Sequence, residues 1–334
     1  MTGPTIHHGV IRRRRRRRRD VKLEPSDENI SEPTTQRKKL KQEKICNFFV
    51  KPEEIPIEEY QMSTSESSEK EFAGLGLIFN FRIFDDKPQQ ERKGTEKDVT
   101  NLQNLFFKMK LSTLTHNNLT KKEVLQAIED FSKDNRHNDL HMAFIAILTH
   151  GNEKGLLTKD YKILDLYTEV FPKLNEQNCP GLAGKPKLFL IQACRGHMLS
   201  KVSRDADDTD QKVDPSLAPS IEDCIAMFSS VPLYSSLRCD KFGSLFVQSI
   251  VQVFGQYGAK EAFGDLWLRV CSHMNSRRVN LAQKDQFVTL KLTPELRQLG
   301  VTKRLFFKMD PNPPYELRSR IMPMKSSIRV RQDE

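Results

Sequence analysis

From Phe72 onward the chain alternates short apolar runs with stretches whose apolar residues recur every three or four positions. That is the pattern of strands interleaved with helices, and it predicts an α/β fold. Five runs read as strands: Leu75–Phe81, Met142–Leu148, Lys187–Gln192, Ile225–Ser229 and Arg304–Lys308. Several are near-continuously apolar, as in parallel strands covered on both faces. Between them, Lys97–Met109 places Val99, Leu102, Leu105, Phe106 and Met109 on one helical face. Thr120 and Glu123 form a capping box ahead of Val124, Leu125, Ile128 and Phe131, and further helices fit Ser244–Phe254 and Lys260–Met274.

The pattern fails at both ends and once in the middle. Residues 1 to about 70 are rich in Arg, Lys, Glu, Ser and Pro and too poor in apolar residues to offset the entropy of ordering, so they read as a disordered arm. Residues 198–220 carry Asp205, Asp207, Asp208, Asp210 and Asp214 and read as an acidic loop inside a domain spanning 71–309; residues 310–334 read as a flexible basic tail. The 54 Lys and Arg against 44 Asp and Glu leave a net charge of +10, concentrated in Arg12–Arg19 and again in Arg37–Lys44. Such clusters suit nucleic acid or other anionic partners. Six cysteines with no CxxC pair predict reduced thiols, no metal and no cofactor. The longest apolar run, Met142–Leu148, is far too short to cross a bilayer, so no membrane association is expected. The expected location is the cytoplasm, with the nucleus open to a chain carrying so basic an arm.

Two residues at strand ends carry chemistry. Cys194, in Gln192-Ala193-Cys194-Arg195-Gly196, follows one apolar run, and His150-Gly151, 44 positions earlier, follows another. Taken singly, a cysteine after a strand reads as an inert small hydrophobe and a histidine there as structural. Together at the carboxyl ends of parallel strands, where open α/β sheets build their sites, they make a nucleophile and its proton carrier.

With that pentapeptide, residues 72–309 resemble a caspase catalytic domain. Cys179-Pro180-Gly181-Leu182-Ala183-Gly184-Lys185-Pro186 resembles the family's approach to its nucleophile. Arg92-Lys93-Gly94-Thr95, then Tyr234-Ser235-Ser236-Leu237-Arg238 with Gly243-Ser244, and Lys303-Arg304-Leu305-Phe306-Phe307 resemble further blocks in the family's order. The resemblance implies a three-layer fold with a mostly parallel sheet of about six strands flanked by helices. It implies a cysteine endopeptidase cutting protein substrates after aspartate in apoptosis. Cys194 would be the nucleophile, His150 the proton carrier, and the amides of Gly151 and Cys194 the oxyanion hole. Arg92, Gln192 and Arg238 match the positions that hold the aspartate side chain, with Ser236 and Leu237 beside them along the substrate; two guanidiniums and an amide accept a carboxylate and reject lysine. The sequence departs from the family at Thr149, where serine is usual, at His197, where glutamate is common, and at Leu237, where an aromatic wall is expected. None of these removes a catalytic atom. The contrasting expectation is a weakly active or inactive homologue that regulates through dimerisation or tethers to nuclear partners through its arm.

The same resemblance implies a zymogen cut in the acidic linker, with Asp208 and Asp210 as processing sites between a large subunit of about 71–208 and a small subunit of about 211–309. Arm trimming is confined to Asp20 and Asp27, the only aspartates before Asp85. A homodimer is expected, formed through Arg304–Lys308 as a sheet edge. The basic arm offers three partners: nucleic acid, a nuclear import factor, and a sliding clamp, since Gln42, Ile45, Phe48 and Phe49 resemble a clamp-binding box.

Overall fold

A computed structural model describes residues 56–62, 72–85, 91–196, 221–234, 236, 238–277, 279–283, 286–309 and 328–331. The strands, in chain order, are β1 (Gly74–Asn80), β2 (Leu111–Asn117), β3 (Met142–Leu148), β4 (Gly151–Asn152), β5 (Gly155–Leu157), β6 (Ile163–Leu164), β7 (Lys187–Gln192), β8 (Cys224–Phe228), β9 (Arg238–Cys239), β10 (Gly243–Ser244), β11 (Val279–Gln283), β12 (Gln286–Leu290), β13 (Glu295–Leu299) and β14 (Ile328–Arg331). The helices are α1 (Thr95–Lys108), α2 (Lys121–Ser132), α3 (Leu245–Tyr257) and α4 (Phe263–Ser276).

Six strands form the central sheet in the order β13-β8-β7-β3-β1-β2, and every pairing is parallel except that of β13 with β8. Both faces are covered, which is why β3 and β7 are buried at every position. The period of two divides them. Phe144, Ala146, Leu148, Leu188 and Leu190 meet α1, α3 and α4 on one face, while Ala143, Ile145, Ile147, Phe189 and Ile191 meet α2 and the turns through Leu166–Leu182 on the other. Each of these buried Leu, Ile and Phe side chains contributes roughly 1.5–3 kcal/mol relative to exposure. The capping box is present, with Glu123 Oε2 accepting from the Thr120 amide at 2.8 Å and the Thr120 hydroxyl accepting from the Glu123 amide. This is the three-layer α/β arrangement the sequence implies.

Three expectations need correction. Arg304–Lys308 is not a strand of the sheet. Its Leu305 and Phe307 are buried among the helices, the Phe307 ring tilted against Phe254 and edge-on to Phe263, and its backbone is held by the Phe263 amide and by Glu58 and Tyr60. The edge beyond β8 is β13 instead, so the homodimer expectation loses the strand it was built on. Nor does the disordered-arm reading hold through residue 62. Tyr60 and Met62 are buried, and the Tyr60 hydroxyl donates to Asp223 at 2.7 Å. Finally, the tail is not wholly flexible, because Ile328–Arg331 pairs as β14 with β11.

Candidate active site

Strand register brings the two chemical residues to one level. Leu148 lies opposite Gln192 in the β3·β7 pair, and the Thr149 amide donates to the Gln192 carbonyl at 3.1 Å. His150 and Cys194 therefore each stand two residues past a matched pair, at the carboxyl end of the sheet. The chain then turns into β4, whose first residue rests against the nucleophile loop. A side chain at Gly151 would come closer than 3.0 Å to the Cys194 carbonyl oxygen, so only glycine permits this approach. The His150 ring lies 4.9 Å from the Phe84 ring, and its carbonyl accepts from Leu157. Cys194 is half-buried, its Sγ held by the Ser236 amide at 3.3 Å and the Ser236 carbonyl at 3.6 Å.

The nucleophile loop is tied down on its far side. The Arg195 amide donates to Tyr234, the Leu233 amide donates back to Arg195, and the Ser229 hydroxyl donates to the Ala193 carbonyl at 3.1 Å. Arg195 also lies 4.4 Å above the Phe228 ring and pairs with Glu295. Cys194 thus sits between two residues, Ala193 and Arg195, whose backbone groups are paired, which holds the loop that carries its sulfur.

Beside it is a buried cationic pocket. Arg92 is only 1% exposed; its Nη1 donates to the Phe81 carbonyl at 2.8 Å and to Thr95, while its Nε and Nη2 have no partner among the described residues. Thr95 in turn donates to Asn80, so the end of β1 and the start of α1 together orient the guanidinium. Arg238 opens β9, and its Nε donates to the Lys93 carbonyl. Gln192, the last residue of β7, donates to the Ser236 hydroxyl at 2.7 Å and keeps a buried Oε1 with no partner among the described residues. Burial, and then each other's charge in the case of Arg92, pulls the pKa of both guanidiniums down, and both lie within electrostatic reach of Cys194 and Asp98. An arginine does not lose its proton on that account. Buried N–H donors without acceptors are costly, and a carboxylate is a group that satisfies two of them at once.

The structure thus brings together Cys194, Gly151, Arg92, Gln192, Ser236 and Arg238, with His150 level with Cys194 across the strand pair. Leu237, the processing aspartates Asp20, Asp27, Asp208 and Asp210, and the box residues Gln42, Ile45, Phe48 and Phe49 lie outside the described residues. One participant escaped the sequence reading. Asp98 is fully buried, accepts from the Ser244 amide at 2.8 Å, and has its pKa raised from 3.8 to about 6, mainly by burial. It balances the two guanidiniums and joins α1 to the cap of α3. Its signal was available. Asp98 falls four residues before Leu102 and seven before Leu105, an acid on the apolar stripe of α1.

Among the described residues no three His, Cys, Asp or Glu side chains are grouped to hold a metal, and no helix is long and apolar enough to cross a membrane. Comparison with known proteins matches residues 73–306 to the caspase domain family. The chain is 31% identical to caspase a of Danio rerio over 205 residues, 59% of this chain and 53% of that one. It is 30% identical to caspase b of Danio rerio over 238 residues, 70% of this chain and 56% of that one. The matches therefore span little more than half the length of these relatives. A crystal structure of caspase-1 from Spodoptera frugiperda superposes with a TM-score of 0.64 at 25% identity, covering 78% of this chain and 97% of that one.

Proposed function

The chain belongs to the caspase family, and on that premise we propose that it is a cysteine endopeptidase cutting proteins after aspartate, made as a zymogen and acting in apoptosis. The observation that carries the reading is the buried Arg92 beside Arg238 at the Cys194 loop, with two Arg92 nitrogens lacking acceptors among the described residues. A cationic cleft of this kind selects the side chain next to the bond that is cut.

In this reading the Cys194 sulfur attacks the aspartate's own main-chain carbonyl carbon, with His150 taking the thiol proton. The tetrahedral oxygen is held by the Gly151 and Cys194 amides; the absence of a side chain at Gly151 keeps that amide within reach. Collapse breaks the C–N bond, and His150 protonates the departing amine. Water, activated by the now neutral His150, then hydrolyses the thioester and frees Cys194. Asp208 and Asp210 are the proposed activation sites. The proposed assembly is a homodimer, its pairing edge now assigned to β13. We extend the proposal to the arm as an element for nucleic acid, an import factor or a sliding clamp, and to residence in cytoplasm and nucleus.

The test is direct. Purified, linker-cleaved protein should hydrolyse a peptide reporter ending in aspartate and take up one equivalent of an aspartyl covalent inhibitor at Cys194. An intact Cys194 showing neither would refute the peptidase and favour a regulator working through association.

A further inference from the structure

The tail strand β14 runs parallel to β11, with Ile328 opposite Val279 and Arg331 opposite Ala282, and it also lies alongside β9. β9 begins two residues beyond Ser236, whose amide and carbonyl touch the Cys194 sulfur, and its first residue is Arg238 of the cationic pocket. One edge of β9 is taken by β10, where Gly243 pairs with Cys239 and Ser244 with Arg238. An extended peptide that presents its carbonyl to Sγ and its side chain to Arg92 and Arg238 has to run past this same segment. The backbone there offers it hydrogen bonds by strand addition. The molecule therefore already holds a strand of its own beside the track an extended substrate would follow.

We propose that β14 is a tethered competitor, an autoinhibitory strand that lodges between β9 and β11 on the acyl side of the cleft. Its sequence suits the place: Ile328-Arg329-Val330-Arg331 alternates β-branched with basic residues, a composition that favours extended backbone over helix. Attachment to the same chain supplies the competitor at an effective concentration in the millimolar range, enough for a weak strand to matter. The inference rests on the proposed aspartate-specific reading of the site.

The experiment compares three forms of the linker-cleaved protein: the whole chain, the chain ending at Ser327, and Val330→Pro, which removes a backbone donor from the strand. Hydrogen exchange at the β11 amides, residues 279–283, reports docking without any need for catalysis. Both altered forms should exchange faster there. Their apparent KM for an aspartyl reporter should fall about three- to fivefold with kcat unchanged, the signature of a removed competitor. If none of the three turns over the reporter, the peptidase reading fails and alkylation of Cys194 by iodoacetamide becomes the second readout, again faster in both altered forms. Unchanged exchange in both altered forms would overturn the proposal. So would faster exchange with unchanged KM or alkylation, since the strand would then dock without occupying the cleft, and so would a rise in KM on truncation.

Discussion

The contact between Gly151 and Cys194 can be broken with a single methyl group. In Gly151→Ala the new Cβ would fall closer than 3.0 Å to the Cys194 carbonyl oxygen and 3.3 Å from the Ala193 Cβ. Neither neighbour is the yielding end of a long side chain. Ala193 is buried and the Ser229 hydroxyl donates to its carbonyl, so the strain must move the backbone of one loop or the other. Relieving an overlap of this size takes a displacement of several tenths of an ångström to about 1 Å, and misplacements of about 1 Å cost on the order of 100-fold in rate where a site depends on alignment. Overpacking of this kind also costs about 1–3 kcal/mol of stability. The assay measures kcat and KM on an aspartyl reporter together with urea unfolding. A fall of roughly 100-fold, carried mainly in kcat, is expected because the displaced amide is proposed to serve the transition state more than the bound substrate. Gly255→Ala provides the comparison. That residue sits within α3 with nothing inside 4 Å of its would-be Cβ, so it should retain activity and gain up to about 1 kcal/mol from reduced freedom of the unfolded chain. Full activity in Gly151→Ala would refute the reasoning, because the amide would then not need to stand where the structure puts it.

Asp98→Asn should flatten one part of the stability profile. Because burial lifts the Asp98 pKa to about 6, the folded chain holds that proton more tightly than the unfolded chain does. The group's stabilising contribution is full below pH about 4 and is lost as pH rises through about 6; the difference in unfolding free energy should shift toward the variant across that window, by on the order of 2 kcal/mol. A difference that stays constant from pH 4 to 7 would contradict this. Tyr60→Phe removes the hydroxyl that donates to Asp223, and urea unfolding should show a loss of about 1–3 kcal/mol, whereas an unchanged midpoint would mean that residues 56–62 add nothing to the fold. Trimming at Asp20 or Asp27 would shed Arg12–Arg19, so the dependence of nucleic-acid affinity on salt should flatten, with a slope smaller by as much as about 7. A matured amino terminus beyond Phe49, read by mass spectrometry, would refute trimming at those sites.

Much of the sheet was readable because its central strands are buried on both faces. Met142–Leu148 and Lys187–Gln192 occur with the expected bounds, and the helices differ by a few residues at their ends. The edges were harder to see. Leu111–Asn117 and Glu295–Leu299 each expose part of their length, and their polar residues hide the period of two. Leu305 and Phe307 misled in the opposite way, since alternating apolar residues on an extended segment fit a strand equally well when the partners are Phe254 and Phe263 of the helical layer. In the site, Cys194 and His150 stood out as residue types, but nothing in the linear order ties Ser236 to the thiol or Asp98 to the guanidiniums. Those contacts arise from the return of the chain after β8 and the docking of α1 on α3.

The central claim is that the buried Arg92 and the half-buried Arg238 at the Cys194 loop select an aspartate carboxylate. The most direct measurement compares two peptide reporters identical except for Asp or Asn immediately before the cleaved bond, with kcat/KM read on the same preparation. The account predicts a preference for Asp of at least about 1000-fold, because the isosteric amide leaves the buried Arg92 charge without a partner. Comparable values for the two reporters, or better cleavage after Asn, would contradict it.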